Sequence, residues 1–227
     1  MELKMEKYKK DFIKFIVQSQ ALVFGDFITK SGRKTPYFIN TGNFKTGQQI
    51  NLLGKFYAHA LFNNIGKNFN VLFGPAYKGI SLAITTSIAF FNIYKHDVFV
   101  CYNRKEAKDH GEGGSIIGYK PQKCDKIVLI DDVITAGTSV REAVNILTSF
   151  SNAKIKALIV SVDRMEKSAS GKSALEEIKT ELGIIPFSIV TIEDIVNYLY
   201  NKKINNKVYI TKKIKTKIDE YRKEFGI

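Results

Sequence analysis

The sequence is poor in cysteine, histidine and arginine, and each scarcity excludes something. Two cysteines, Cys101 and Cys124, cannot build a disulfide framework. With no CxxC pair and only three histidines, a structural zinc site lacks ligands. A reducing compartment, the cytoplasm, is the natural reading. No apolar run approaches the roughly 18 residues that suggest a membrane span, so no membrane partner is expected. The basic N-terminus does not read as a signal peptide, because Lys14 interrupts its only apolar stretch, Phe12 to Val17. Only five of the 35 basic residues are arginine (Arg33, Arg104, Arg141, Arg164, Arg222), which leaves 30 lysines, and the net charge is +13. The lysines are scattered, with no basic stripe interleaved with aromatics. Asn and Ile are abundant as well, and such a bias can follow from genome composition rather than from a polyanion surface, so no nucleic-acid partner is expected.

What is present is a folded chain of 227 residues, 44% hydrophobic and 25% charged. That length holds one α/β domain or two small ones. Tyr8, Phe12, Phe15, Ile16 and Ser19 recur at helical spacing and predict an amphipathic first helix. Phe24–Lys30 and Tyr37–Asn40 read as short strands around the turn Ser31-Gly32-Arg33-Lys34, and a helix follows near Gln48–Ile65. From there, strands at Asn70–Phe73, Asp97–Tyr102, Lys126–Ile130, Lys154–Val162 and Phe187–Val190 alternate with helices at Lys78–Phe91, Gly137–Ser149 and Gly171–Leu182. Such alternation predicts a parallel sheet covered on both sides. A last helix is expected near Lys212–Phe225, and a single domain over 1–227 with decorated ends accounts for the whole pattern.

The sharpest chemical signal follows the apolar strand Lys126–Ile130. Two adjacent acids, Asp131 and Asp132, are followed by Val133, Ile134, Thr135, Ala136, Gly137, Thr138 and Ser139, and then by a helix. In open α/β sheets, ligands bind at the carboxyl ends of strands. Backbone N–H groups at a loop and helix N-terminus make an anion site, and the hydroxyls of Thr135, Thr138 and Ser139 add donors suited to a phosphate monoester. The two carboxylates are then placed to accept hydrogen bonds from vicinal ribose hydroxyls. A second strand end, Gly74-Pro75-Ala76-Tyr77-Lys78-Gly79, offers backbone amides and one cation to another anion. By itself that stretch is an ordinary strand-to-helix turn; beside the first loop it becomes a candidate site.

Residues 131–139 resemble the phosphoribosyl-pyrophosphate loop of the type I phosphoribosyltransferases. Further segments resemble the orotate phosphoribosyltransferase family. These are 24–40, beginning Phe24-Gly25-Asp26 and ending Tyr37-Phe38-Ile39-Asn40; 72–79; the polar stretch 103–114, Asn103-Arg104-Lys105-Glu106-Ala107-Lys108-Asp109-His110 and its glycines; and the ending Tyr221-Arg222-Lys223-Glu224-Phe225-Gly226-Ile227. The resemblance covers nearly the whole chain. It implies an α/β fold of type I phosphoribosyltransferase kind, with a central parallel sheet flanked by helices, a small N-terminal hood and a mobile catalytic loop. It implies transfer of the 5-phosphoribosyl group from phosphoribosyl pyrophosphate to orotate, giving orotidine 5'-monophosphate and pyrophosphate.

The resemblance also implies roles residue by residue. Arg104, Lys105, Lys108, Asp109 and His110 form the catalytic lid, whose cations would grip the leaving pyrophosphate. Lys30, Tyr77 and Lys78 join that lid and residues 131–139 in binding phosphoribosyl pyrophosphate. Phe38, Ile39, Thr135 and Arg164 bind orotate, with the planar fork of Arg164 suited to its carboxylate. Ile39 stands where many members carry an aromatic residue, so backbone contact rather than ring stacking is expected there. Mg2+ would be held mostly by substrate oxygens and water, with Asp131 and Asp132 reaching it indirectly. A homodimer with shared active sites is implied too. Two alternatives stay open on the residues: a phosphoribosyltransferase for another base, and a nucleic-acid-binding regulator on the same fold.

Other signals lead nowhere. Gly171-Lys172-Ser173 looks like the end of a P-loop, but Glu166 stands where the earlier glycine is required. His59 lies in a helical pattern and reads as structural. Cys101 sits in an apolar strand and reads as core, and Cys124 has no histidine near it in sequence.

Overall fold

The computed structural model describes residues 5–29, 32–105, 115–134, 137–150, 153–168 and 170–227. By contacts the chain divides into two compact units, one comprising Met1–Gln49, Arg164–Ser173 and Val190–Ile227, the other Ile50–Asp163 and Ala174–Ile189.

The second unit is built on a six-stranded sheet. Its strands are β3 (Val71–Phe73), β4 (Phe99–Asn103), β5 (Ile116–Gly118), β6 (Lys126–Ile130), β7 (Lys154–Asp163) and β8 (Ile185–Thr191), in the order β5-β4-β3-β6-β7-β8. β4, β3, β6 and β7 run parallel, and β5 pairs antiparallel with β4 at the edge. The central strands are buried on both faces, which is why β3 and β6 read as unbroken apolar runs. On one face Val71, Phe73, Ile127, Leu129, Leu158 and Val160 pack with Val140, Ala143 and Leu147 of α4 (Thr138–Phe150) and Leu175 and Ile178 of α5 (Ala174–Leu182). α2 (Gly47–Ile65) and α3 (Lys78–Tyr94) contribute further buried stripes, including Tyr57, Leu61, Leu82 and Phe90. Cys101 is fully buried, and burial pushes its thiol pKa up to about 12, as a core position requires. His59 is likewise structural: its Nδ1 lies 2.7 Å from the Tyr94 hydroxyl.

The first unit begins with α1 (Lys7–Gln18), which buries Phe12, Ile13, Ile16 and Val17, the face expected from the spacing. An antiparallel ribbon follows, β1 (Leu22–Ile28) with β2 (Lys34–Ile39). The C-terminal part supplies α6 (Ile192–Leu199), the short pair β9 (Lys203–Ile204) and β10 (Lys207–Val208), and α7 (Lys212–Phe225). α6 opens on a capping box, in which the Thr191 hydroxyl accepts from Asp194 N and the Asp194 carboxylate accepts from Thr191 N. α7 packs on β2, with Tyr221 edge-on to the Tyr37 ring at 5.9 Å between centroids. Among the described residues, no helix is long and apolar enough to cross a membrane.

The elements differ from expectation mainly at their ends. β7 and β8 are longer, and α5 starts three residues later than predicted, at Ala174. β5 and α6 were not expected. β5 is three residues long and ends in Gly118, too short for alternation to show.

Candidate active site

The end of β6 carries the acidic pair. Asp131 continues the pairing with β7 by donating its N–H to Ile159 O at 3.0 Å. Its carbonyl accepts from the buried Tyr57 hydroxyl at 2.8 Å. The carbonyl of Asp132 accepts from both N and Oγ of Ser161, at 2.8 and 2.6 Å. The carbonyls of the acidic pair are thus held from α2 and β7. Both side chains are largely buried. Asp131 Oδ1 accepts from Asp132 N and Oδ2 from the Ser139 hydroxyl, each at 2.8 Å. Ser139 was expected to donate its hydroxyl to a phosphate. Here that hydroxyl donates to Asp131, a bond local to one turn of loop and helix.

Thr138 opens α4, and Gly137 before it has φ +71°. A Cβ at Gly137 would also sit 3.2 Å from Ile178 Cδ1 and 3.0 Å from an Arg141 guanidinium nitrogen, tight contacts that add to the strain the positive φ would put on any other residue. Val133 and Ile134 are half-buried, while Thr135 and Ala136 lie outside the described residues.

Burial raises the Asp131 carboxyl pKa above its ordinary value of 3.8, and the neighbouring Asp132 charge adds to this; the bonds from Ser139 and Asp132 N oppose the rise. Tyr57 is pushed well above the ordinary phenol value, first by burial and then by the two acids, and so stays a donor. The sign for stability follows. The folded chain holds the Asp131 proton more tightly than the unfolded chain does, so this group's contribution is lost as pH rises through its folded pKa. The parent protein is therefore expected to lose stability relative to Asp131→Asn as pH rises through this pKa, whatever the offset from the one acceptor that asparagine lacks. Thermal denaturation of both proteins across pH tests this, and a difference in melting temperature that does not change with pH would contradict it.

The second anion-type loop lies at the end of β3. Gly74 and Gly79 meet so closely that a Cβ on Gly74 would lie 2.0 Å from Gly79 O, and one on Gly79 would lie 2.7 Å from Gly74 C. Between them the Ala76–Tyr77 peptide is cis, and Ala76 N donates to Asn103 Oδ1 at 2.8 Å, which ties the loop to the end of β4. Tyr77 is exposed, and Lys78 Nζ donates to Asp132 Oδ2 at 2.6 Å. The structure therefore brings Tyr77, Lys78, Asp131, Asp132, Gly137, Thr138 and Ser139 together on the second unit. Arg104 and Lys105 follow β4. Arg104 N donates to Ser115 O at 2.9 Å, its Nε is buried without a hydrogen-bond partner among the described residues, and Lys105 Nζ reaches Glu142 at 3.5 Å. Lys108, Asp109 and His110 lie outside the described residues.

The expected orotate contacts other than Thr135 fall in the first unit. Phe38 is exposed at the end of β2, its ring 5.7 Å from that of Phe27, and Ile39 is half-buried. Lys30 lies outside the described residues. Arg164 is largely buried, with its guanidinium carbon 4.7 Å from the centroid of the Tyr37 ring. Its partner is Glu166, to whose Oε1 it donates through Nε at 3.0 Å and Nη2 at 2.7 Å. Burial works against the Arg164 charge, but Tyr37 and Glu166 outweigh it and its pKa is raised. The same Oε1 accepts from the hydroxyls of Tyr37 and Tyr221, at 2.8 and 2.9 Å, and Arg33 Nη1 lies 3.4 Å from Oε2. Sequence reasoning used Glu166 only to reject a P-loop and did not use Tyr37 for its hydroxyl. A spacing of two residues hints that Arg164 and Glu166 share a side of an extended chain, yet Met165 between them has φ +50°, so a kink rather than strand alternation joins them.

A sheet in this order, with an acidic pair and a Gly-bearing loop entering α4, defines a class: the model of the phosphoribosyl transferase domain matches residues 40–190. The chain is 53% identical to the orotate phosphoribosyltransferase of Clostridium acetobutylicum over 223 residues, covering 98% of this chain and all of that one. It is 45% identical to the orotate phosphoribosyltransferase of Erwinia tasmaniensis, again over 98% of this chain and all of the relative. The crystal structure of orotate phosphoribosyltransferase from Francisella tularensis superposes with a TM-score of 0.83 at 34% identity, covering 96% of this chain and 100% of that one. The chain belongs to the orotate phosphoribosyltransferase family of phosphoribosyl transferases.

Proposed function

We propose that the protein transfers the 5-phosphoribosyl group from phosphoribosyl pyrophosphate to orotate, giving orotidine 5'-monophosphate and pyrophosphate. The observation that carries this is the buried Asp131–Asp132 pair at the strand end before Gly137 and α4, in a chain matched to its relatives along their whole length. All 227 residues work as a single phosphoribosyltransferase domain.

The roles follow from chemistry. Asp131 and Asp132 accept hydrogen bonds from the ribose hydroxyls. Backbone N–H groups of residues 133–139, with the hydroxyls of Thr135 and Thr138, hold the 5-phosphate at the start of α4. Tyr77, Lys78 and the amides of the 74–79 turn take the pyrophosphate. Arg104, Lys105, Lys108 and His110, with Asp109 in the same loop, grip the leaving group as its bond to C1 loosens, and Lys30 adds a cation for substrate phosphate. Arg164 holds the orotate carboxylate, and the backbone at Phe38 and Ile39 lies against the pyrimidine, with Thr135 a further contact. Orotate N1 then adds to C1. The ring can already be ionised when bound, so a strong general base at N1 is not demanded.

The metal donors on hand are hard oxygens. Asp131 and Asp132 are largely buried. Mg2+ would be held chiefly by substrate oxygens and water, with the two acids reached through water, and when bound it would neutralise charge on the pyrophosphate. The protein works in the cytoplasm, in keeping with its free thiols Cys101 and Cys124. It forms a homodimer with shared sites, and the exposed Ile84, Ile88 and Phe91, at helical spacing on α3, support an apolar contact face.

The test is an assay of orotate, uracil, hypoxanthine and adenine with phosphoribosyl pyrophosphate and Mg2+. Orotate alone is expected to be consumed at a substantial rate, with one pyrophosphate released per nucleotide formed. Preferential use of a purine would overturn the orotate assignment.

A further inference from the structure

Glu166 sits at the centre of a cluster that the roles above leave unused. One of its oxygens, Oε1, accepts four bonds, from Nε and Nη2 of Arg164 and from the hydroxyls of Tyr37 and Tyr221. Its other oxygen faces Arg33. Tyr37 is fully buried, and Arg164 and Glu166 are both largely shielded from water. A carboxylate with this many donors has one orientation, and it fixes the guanidinium it binds.

Glu166 engages the side-on edge of Arg164, formed by Nε and Nη2. The end-on edge, formed by Nη1 and Nη2, therefore faces away from Glu166. Among the described residues no acceptor meets Nη1, and Thr35 Oγ1 lies 3.5 Å from Nη2. The end-on edge of Arg164 keeps the planar fork geometry that a further carboxylate would meet with two parallel bonds.

The C-terminus braces this arrangement. Glu166 forms an isolated antiparallel bridge with Gly226, Lys167 N donates to Phe225 O at 2.7 Å, and Ile227 N donates to Met165 O at 3.0 Å. Arg33 stacks over the Phe225 ring at 4.3 Å. The tail thus holds both the backbone of residues 165–167 and, through Tyr221, the Glu166 side chain.

We propose that Glu166, clamped by Tyr37, Tyr221 and the C-terminal tail, is the positioning residue that presents Arg164 to the carboxylate of orotate. This rests on the reading of Arg164 given above. It makes selectivity for a carboxylated pyrimidine the property of a five-residue cluster rather than of one arginine.

The experiment measures Michaelis constants for both substrates in Glu166→Ala, Glu166→Gln, Tyr221→Phe and Arg164→Ala. Glu166→Ala frees the guanidinium, and the orotate KM is expected to rise about tenfold or more, the scale of one charge-assisted bond. The phosphoribosyl pyrophosphate KM stays within about twofold, since that substrate gains nothing from the orientation of Arg164. Glu166→Gln keeps an acceptor oxygen at Oε1 and recovers part of the loss. Tyr221→Phe removes one of the four bonds while keeping the ring, and raises the orotate KM about two- to fivefold. Two results would overturn the proposal: an unchanged orotate KM in Glu166→Ala, or equal rises in both constants, as general loosening would give. If Glu166→Ala does not fold, Tyr221→Phe decides on the same criterion. Arg164→Ala separates the two readings. A raised orotate KM there with none in the Glu166 variants defeats the positioning role alone, whereas no rise in Arg164→Ala defeats the carboxylate reading as well.

Discussion

Replacing Asp132 with asparagine lowers kcat/KM for phosphoribosyl pyrophosphate by about 10- to 100-fold while the fold stays intact, the scale of losing one or two charge-assisted hydrogen bonds. The two effects separate because different atoms of Asp132 serve them. Its carbonyl, not its carboxylate, accepts the two bonds from Ser161 that hold the strand end. Its carboxylate accepts from Lys78, whose side chain is more than half exposed. Losing so exposed a partner costs about 1 kcal/mol of stability at most. For the reaction, the substitution removes the charge proposed to hold a ribose hydroxyl and releases Lys78 from the position in which it was held. Steady-state kinetics alongside circular dichroism and thermal melting make the comparison. Activity close to the parent protein would remove the acidic pair from the ribose-binding role.

Arg164→Ala raises the orotate KM by about 10- to 100-fold, again the scale of a charge-assisted pair, with little effect on the KM for phosphoribosyl pyrophosphate. Unlike Asp132→Asn, it also lowers stability. It strips Glu166 of its two shortest guanidinium bonds and leaves the carboxylate with Tyr37, Tyr221 and a longer contact to Arg33. A largely buried carboxylate deprived of its main partner costs about 1–3 kcal/mol. Arg164→Lys is expected to recover charge but not the fork, so its orotate KM falls between the two. Titrating each substrate against saturating amounts of the other, with melting curves, measures both effects. Equal rises in both Michaelis constants would count against a specific carboxylate contact.

The parts of this molecule legible in the sequence are those whose physics is local. Lys126–Ile130 is a buried strand because four successive residues, Ile127 to Ile130, are apolar, and its boundaries in the structure are the expected ones. α7 likewise spans Lys212–Phe225 as expected. The acidic pair and its loop are contiguous, so their chemistry could be read before any fold was known. β5 and α6 escaped notice: three residues of strand carry too little periodicity, and α6 is only eight residues long, although Thr191 and Asp194 mark its start as a capping box.

What the sequence by itself determined is therefore the order of strands and helices, the acidic pair with its Gly-bearing loop, and the family to which those motifs belong. Tertiary structure alone decided which side chain each polar group meets. Lys78 and Asp132 are 54 residues apart in the chain, and Tyr37 and Glu166 are 129 apart. Ser139, read as a hydroxyl donor, donates to Asp131. Glu166 looked like a misplaced residue in a failed P-loop and is the partner of Arg164. Periodicity and propensity report the interactions of neighbours along the chain. A buried charge is compensated by whatever the fold brings within about 3 Å of it, and no local pattern encodes that.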